Sequence, residues 1–257
     1  MLIDSHCHLD RIDLAPYQND FSCFMDEATH SKIEHLLCIA IDLENYPAML
    51  DLIDGFPQIS ATVGVHPNTQ DCHDPSVDEL VGLGQNKRVI GIGETGLDYF
   101  RSEGDLEWQQ QRFRNHIRAA KLLKKPLIIH TREAKEDTLR ILAEENAGEV
   151  GGIIHCFTED WAFAQKAMDL NFYISFSGIV TFNNAKEIKD TAKRMPADRF
   201  LIETDSPYLA PVPFRGRTNY PTYVRYVAEH IAELRGTTVN KIADLSTENF
   251  YTLFKFN

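Results

Sequence analysis

No apolar run in this chain approaches the roughly 20 residues that a membrane-spanning helix needs. Its first residues carry neither a basic stretch nor a long apolar segment, so a secretory leader is not expected. Cysteine is sparse, five residues at Cys7, Cys23, Cys38, Cys72 and Cys156 with no C-x-x-C among them. That pattern argues against a disulfide framework or a structural zinc site and points to a reducing cytoplasm. Basic charge is also short: 26 Lys and Arg against 38 Asp and Glu give a net charge of -12. A protein that coats nucleic acid electrostatically is thereby disfavoured. An enzyme that works on nucleic acid at a local cationic site is not, because bound divalent ions invert the local charge balance. There is no long linker, low-complexity tract or internal repeat.

What the 257 residues do contain is a recurring alternation. Short β-rich apolar runs fall at 2–5, 35–41, 59–65, 88–94, 126–130, 151–156, 172–177 and 199–205. Several are nearly continuous in apolar character, as parallel strands buried on both faces are. Helical periodicity fills the gaps. In 105–125, Trp108, Phe113, Ile117, Ala120 and Leu123 mark one face with polar residues opposite; 133–146 and 159–170 read similarly. Such alternation in a chain of this length predicts an α/β fold, a single (β/α)8 TIM barrel over residues 1–257. A doubly wound open sheet alternates in the same way, but there the first strand leads into a G-x-G-x-x-G loop. Here it leads into histidines.

That first strand reads "LIDSHCHLD". Side chains two apart on a strand face the same way, so His6 and His8 aim at one point while Cys7 looks away. The other runs end in kind: Glu94 after the fourth, His130 after the fifth, His155 after the sixth and Asp205 after the eighth. In a barrel the C-terminal ends of all strands converge on one face, where active sites are built. Four histidines and two carboxylates are too many for one tetrahedral ion. They suit two ions a few ångströms apart with a carboxylate able to bridge.

The segments "DSHCHLD", "GVHP", "GETGLDYF", "PLIIHTREAKED", "HCFTED", "YISFSGIVTF" and "LIETDSPYLAPVP" together resemble the TatD family of metal-dependent deoxyribonucleases, most of all its bacterial YcfH-type members. The likeness runs in order from Ile3 to about Phe254. It implies a barrel of the metal-dependent hydrolase, amidohydrolase-like type. The activity it implies is a dinuclear hydrolase cleaving phosphodiesters, a deoxyribonuclease of the 3′–5′ exonuclease kind. By position, His6, His8 and Asp205 match one metal site, His130 and His155 the second, and Glu94 the bridging ligand. An amidohydrolase or esterase acting on a small amide, lactone or phosphoester is the competing expectation. Many such enzymes bridge their metals with a modified lysine after strand four, where this chain has Glu94.

Catalytic roles are expected for Asp205, as the base that takes a proton from water, and for Glu94. Imidazole-rich sites suit Zn, Mn, Fe or Ni, whereas Mg favours oxygen donors, although the family resemblance points towards magnesium. His66 in "GVHP" is a candidate to hold a substrate phosphate, with Pro67 equally consistent with a plain turn. Arg132 is placed to fork onto a phosphate oxygen or to pair with Glu133 or Glu136. Arg217, with Arg215, forms a basic loop suited to an anionic substrate. Glu203 reads as a supporting residue at best, Asp98 as orienting a ligand or capping a turn, and Cys7 and Cys156 as core thiols. The expected partner is DNA or a small phosphoester, with no membrane, and the expected state is a monomer.

Overall fold

In the computed structural model, which describes residues 1–70 and 72–255, the eight expected strands form one all-parallel sheet in sequential order. They are β1 (Leu2–Cys7), β2 (Ile33–Cys38), β3 (Ile59–Val63), β4 (Val89–Asp98), β5 (Leu127–Arg132), β6 (Gly152–Ile154), β7 (Phe172–Phe176) and β8 (Phe200–Ile202). Between and after them lie α1 (Phe21–His30), α2 (Tyr46–Ile53), α3 (Val77–Gly84), α4 (Glu107–Leu123), α5 (Lys135–Glu144), α6 (Trp161–Asp169), α7 (Lys186–Arg194), α8 (Val224–Arg235) and α9 (Val239–Phe254). Side-chain caps start several of them: Asp20 for α1, Ser76 for α3, Asp160 for α6 and Thr238 for α9 each accept a bond from a first-turn N–H.

The sheet closes at a short seam. A parallel bridge joins Cys7 to Ser206, Asp205 N–H donates to His6 O and His8 N–H donates to Ser206 O. Below that point the buried Asp4 carboxylate replaces the missing ladder: it accepts from Thr204 N–H at 2.9 Å and from the Thr204 hydroxyl. Residues facing the helices (Leu36, Cys38, Ala61, Val63, Ile129, Ile174, Ile202) join one large core. Their alternate neighbours Ile3, Leu37, Ile39, Ile128, Ile153, Tyr173 and Leu201 form a second cluster inside the barrel. Phe250, Leu253 and Phe254 of α9 join that inner cluster and pack over its floor. The barrel is therefore filled and stoppered at one end, and only its C-terminal mouth is left for chemistry.

Strand ends differ from the sequence reading at the mouth. β4 runs past Glu94 to Asp98, and β5 runs past His130 to Arg132, because these segments pair as far as Asp98 with Arg132. Gly96 permits it: at φ 135° its Cα lies so close to the His130 carbonyl that a Cβ would collide with it. β8 stops at Ile202, and Asp205 follows in a left-handed conformation, φ 59°.

α4 was expected to bury one apolar face. Phe113, Ile117 and Ala120 are buried, but so are Gln109, Arg112 and His116. These three stand at i, i+3 and i+7, one stripe of the helix. Gln109 donates to Pro67 O, Arg112 to His66 O and Thr69 O, and His116 Nε2 accepts from Val65 N–H. The stripe satisfies the backbone of the turn after β3 and fixes where His66 sits.

Candidate metal centre

The mouth brings together all six residues expected to share it. Strict alternation from the inward Ile3 would send His6 outward. A register shift between Asp4 and Cys7 corrects the phase, so that His6 and His8 face inward and Cys7 enters the outer core. Glu94, 2% exposed, stands in the middle. Its Oε1 lies 2.8 Å from His155 Nε2, 3.2 Å from His130 Nδ1 and 3.4 Å from His66 Nε2. Its Oε2 lies 3.4 Å from His6 Nε2 and 3.8 Å from His8 Nε2. Asp205 Oδ1 completes the second group, 3.6 Å from His6 Nε2 and 3.4 Å from His8 Nε2. One carboxylate thus divides the imidazoles into two sets, one per oxygen.

Each ring's outer partner decides which nitrogen can act as a ligand. His130 lies between two carboxylates, Nε2 3.0 Å from Asp98 Oδ2 and Nδ1 3.2 Å from Glu94 Oε1; with an ion at the centre the outer Nε2 would keep the proton, donating to Asp98, and Nδ1 would be the ligand nitrogen. His8 donates from Nδ1 to Ile39 O at 3.1 Å and turns Nε2 inward. His155 presents Nδ1 to Glu203 Oε1 at 3.4 Å and Nε2 to the centre. His66 is different. Its Nδ1 accepts from Asn68 N–H at 3.0 Å, so the proton of the neutral ring sits on Nε2 and points inward. His66 thus presents a hydrogen-bond donor to the centre, unlike the other imidazoles.

The surrounding imidazoles keep the carboxylates ionised. Burial alone would raise the carboxyl of Glu94, but His155, His66 and His130 around it hold it well below its ordinary value. Burial likewise opposes ionisation of Asp205, and His8 and His6 outweigh it. Asp98 is buried too, yet the bonds from His130 and Asn68 keep it ionised below the usual range.

The other candidates resolve as follows. Asp98 does both expected jobs: Oδ2 accepts from His130 and Asn68, Oδ1 from the N–H groups of Phe100 and Arg101. Glu203 is fully buried, with Oε1 taking the Cys156 N–H at 2.6 Å beside His155. Arg132 makes no ion pair with Glu133 or Glu136; its guanidinium lies 4.0 Å over the Phe100 ring. Arg215 covers Phe182 in the same way, and Arg217 is exposed on its loop, with no ion pair among the described residues. Cys7 is a core thiol, but Cys156 is only half-buried and contacts the Ser177 hydroxyl, a correction to the core reading. The sequence reading missed Asp4, Asn68 and the α4 stripe; only the stripe left a readable sign, in its helical spacing.

A divalent cation fits these residues. Among the described residues, neither ring nitrogen of His6 or His155 has a hydrogen bond, although all four are buried. Three of the four face carboxylate oxygens at 2.8–3.6 Å without a well-formed hydrogen bond, and a cation set between neutral nitrogens and ionised oxygens would satisfy both. Groups of three ligand atoms within 4.8 Å of one another among the described residues are His6, His8 and Asp205, then His66, Glu94 and His130, and then His6, His155 and Glu203; the first coincides with an expected ion set, and in the second the neutral His66 ring offers a proton rather than a lone pair. A filled parallel barrel with this donor set at its C-terminal mouth defines a metal-dependent hydrolase of the amidohydrolase-like barrel class.

Comparison with known proteins narrows the class. The model of the family described as TatD related DNase matches residues 3–255, and the chain belongs to that family. It is 46% identical over 254 residues to the uncharacterized metal-dependent hydrolase YcfH of Escherichia coli, covering 98% of this chain and 95% of the relative. It is 42% identical to the uncharacterized metal-dependent hydrolase YabD of Bacillus subtilis, with both chains fully covered. The crystal structure of YjjV, a TatD homologue of Escherichia coli, superposes with a TM-score of 0.90 at 27% identity, over 100% of this chain and 98% of that one.

Proposed function

We propose that this metal-dependent hydrolase cleaves phosphodiester bonds in DNA, as an exonuclease of the 3′–5′ kind, with two divalent cations at the barrel mouth. The observation that carries the reading is the division of imidazoles between the two oxygens of Glu94. His6, His8 and Asp205 would hold one ion, His130 and His155 the other, with Glu94 shared. The predominance of imidazole favours Zn, Mn, Fe or Ni over Mg. When bound, paired cations lower the pKa of water and stabilise both oxygens of an in-line displacement.

The chain's own groups supply the rest. Asp205 takes the water's proton, because it is the carboxylate that reaches solvent: its side chain is 12% exposed, against 3% for Glu94 and none for Glu203. Its histidine neighbours, outweighing burial, keep Asp205 ionised for that task. His66 donates its Nε2–H to an oxygen of the phosphate. Arg132, held over Phe100, presents its fork to a second oxygen.

The amidohydrolase reading has less to stand on. Glu94 fills the place of a bridging lysine, and Lys125, next to β5, is engaged elsewhere with Gly84 O and Val89 O. Metal analysis and a substrate panel test the proposal together. Two ions per chain and cleavage of end-labelled single-stranded DNA are expected. Brisk amide or lactone hydrolysis with no cleavage of any oligonucleotide would overturn it.

A further inference from the structure

Among the described residues, five large apolar side chains are conspicuously exposed: Met1, Phe100, Leu122, Tyr208 and Val212. Only Phe100 and Tyr208 are aromatic, 55% and 47% exposed, and both stand at the mouth. Scattered exposed apolar residues need no explanation, but these two are tied to the centre. Phe100 lies two residues after Asp98 and donates its N–H to that carboxylate, whose other oxygen holds His130. Tyr208 lies three residues after Asp205, bonds its N–H to Asp205 O, and has its carbonyl held by Asn219. Its ring meets His8 edge-on at 5.9 Å. Phe100 carries the Arg132 guanidinium on one face. In an eight-stranded barrel of sequential order, the β4–β5 rim that bears Phe100 lies across the mouth from the β8–β1 rim that bears Tyr208.

We propose that Phe100 and Tyr208 are two base-stacking platforms on opposite rims, clamping the nucleotides on either side of the phosphate held at the centre. This rests on the nuclease reading above. It also supplies what that reading lacks. A chain of net charge -12 offers little attraction for a polyanion, and stacking is an uncharged source of affinity that every base can use. Paired bases within a duplex cannot splay onto two separated rings, so the arrangement selects single-stranded ends.

The test compares single-stranded DNA with the same oligonucleotide made abasic at its three terminal nucleotides at both ends, so that phosphates are unchanged. Cleavage with Mn²⁺ is measured for wild type, Phe100→Leu, Tyr208→Leu and the double variant, with folding checked by circular dichroism. Stacking contributes roughly five- to a hundredfold per base. Wild type should therefore favour the natural end by at least about tenfold in kcat/KM, mainly through KM, and the double variant should lose that preference. A terminal 2-aminopurine should be quenched on binding wild type and not on binding the double variant. Equal cutting of both oligonucleotides by wild type, or a preference unchanged in the double variant, would refute the platforms and leave the nuclease reading standing. Neither binding nor cutting of either oligonucleotide would overturn both.

Discussion

Replacing Asp98 by Asn separates the role of shape from that of proton position. The carboxylate is fully buried and accepts four bonds: Phe100 N–H at 3.1 Å and Arg101 N–H at 2.9 Å on Oδ1, Asn68 Nδ2 at 2.9 Å and His130 Nε2 at 3.0 Å on Oδ2. Asparagine keeps the outline but has one accepting oxygen. Turned so that its NH₂ faces the loop, it would strand two backbone N–H groups, at about 1–3 kcal/mol each. Turned the other way, it faces Asn68 and His130, and both can respond. The Asn68 amide can rotate, since its Oδ1 has no partner among the described residues. His130 can move its proton from Nε2 to Nδ1. That shift places an N–H towards Glu94 Oε1, 3.2 Å away, and removes the lone pair meant for the ion. Stability should fall by only about 1–2 kcal/mol, because the bonds are exchanged rather than lost. Affinity for the ion on the His130–His155 side should drop about 10- to 100-fold, while the ion on the His6–His8–Asp205 side stays within about threefold. Calorimetric titration of metal-free protein with Mn²⁺ or Zn²⁺ reads the affinities, and ¹⁵N chemical shifts of His130 read its tautomer. Two sites of wild-type affinity would refute the reasoning, as would an unchanged His130 tautomer alongside a lost ion.

Three further outcomes are expected. Asp205→Asn should fold normally and lose about 10²- to 10⁴-fold in turnover; a rate within a few-fold of wild type at full metal loading would remove Asp205 as the base. Arg132→Ala should raise KM for an oligonucleotide and leave metal stoichiometry at the wild-type value; an unchanged KM would show that the guanidinium serves only to cover Phe100. His35, buried in β2 and bonded to the Ser60 hydroxyl, has its pKa lowered from 6.5 to about 4, chiefly by burial and then by the Arg88 charge. The folded state therefore disfavours its protonation. The stability it contributes is present in full above pH 6.5 and lost as pH falls towards 4, about 3 kcal/mol in all. Urea titrations of His35→Gln across that window should show a shallower loss than wild type, and parallel curves would contradict the assignment.

Much of the architecture can be read from local pattern. Buried parallel strands need continuous apolar runs, and the helices between them need a 3.6-residue stripe, so eight repeats of the pair narrow the fold to a barrel or a doubly wound sheet, and histidines in place of a G-x-G-x-x-G loop favour the barrel that is observed. The same logic makes the candidate centre legible, because side chains at the C-terminal ends of the strands meet wherever the barrel closes. His6, His8, Glu94, His130, His155 and Asp205 follow from that rule together with the chemistry of their side chains.

Finer decisions were made by residues distant in the chain. Alternation alone places His6 on the wrong face; the register of β1 against β2 turns it inward. His66 and His130 are both strand-end imidazoles near Glu94, indistinguishable as letters. One has Nδ1 occupied by the Asn68 N–H, the other has Nε2 bonded to Asp98, and so their inward nitrogens carry opposite roles. The polar stripe of α4 is buried because the turn after β3 brings unsatisfied carbonyls against it, and Asp4 is buried because β8 diverges from β1 just where a ladder bond is missing. Sequence determines which side chains reach the mouth, since periodicity is a property of the local backbone. The tertiary structure decides which lone pairs are free there, since a hydrogen bond depends on a partner that local periodicity does not specify.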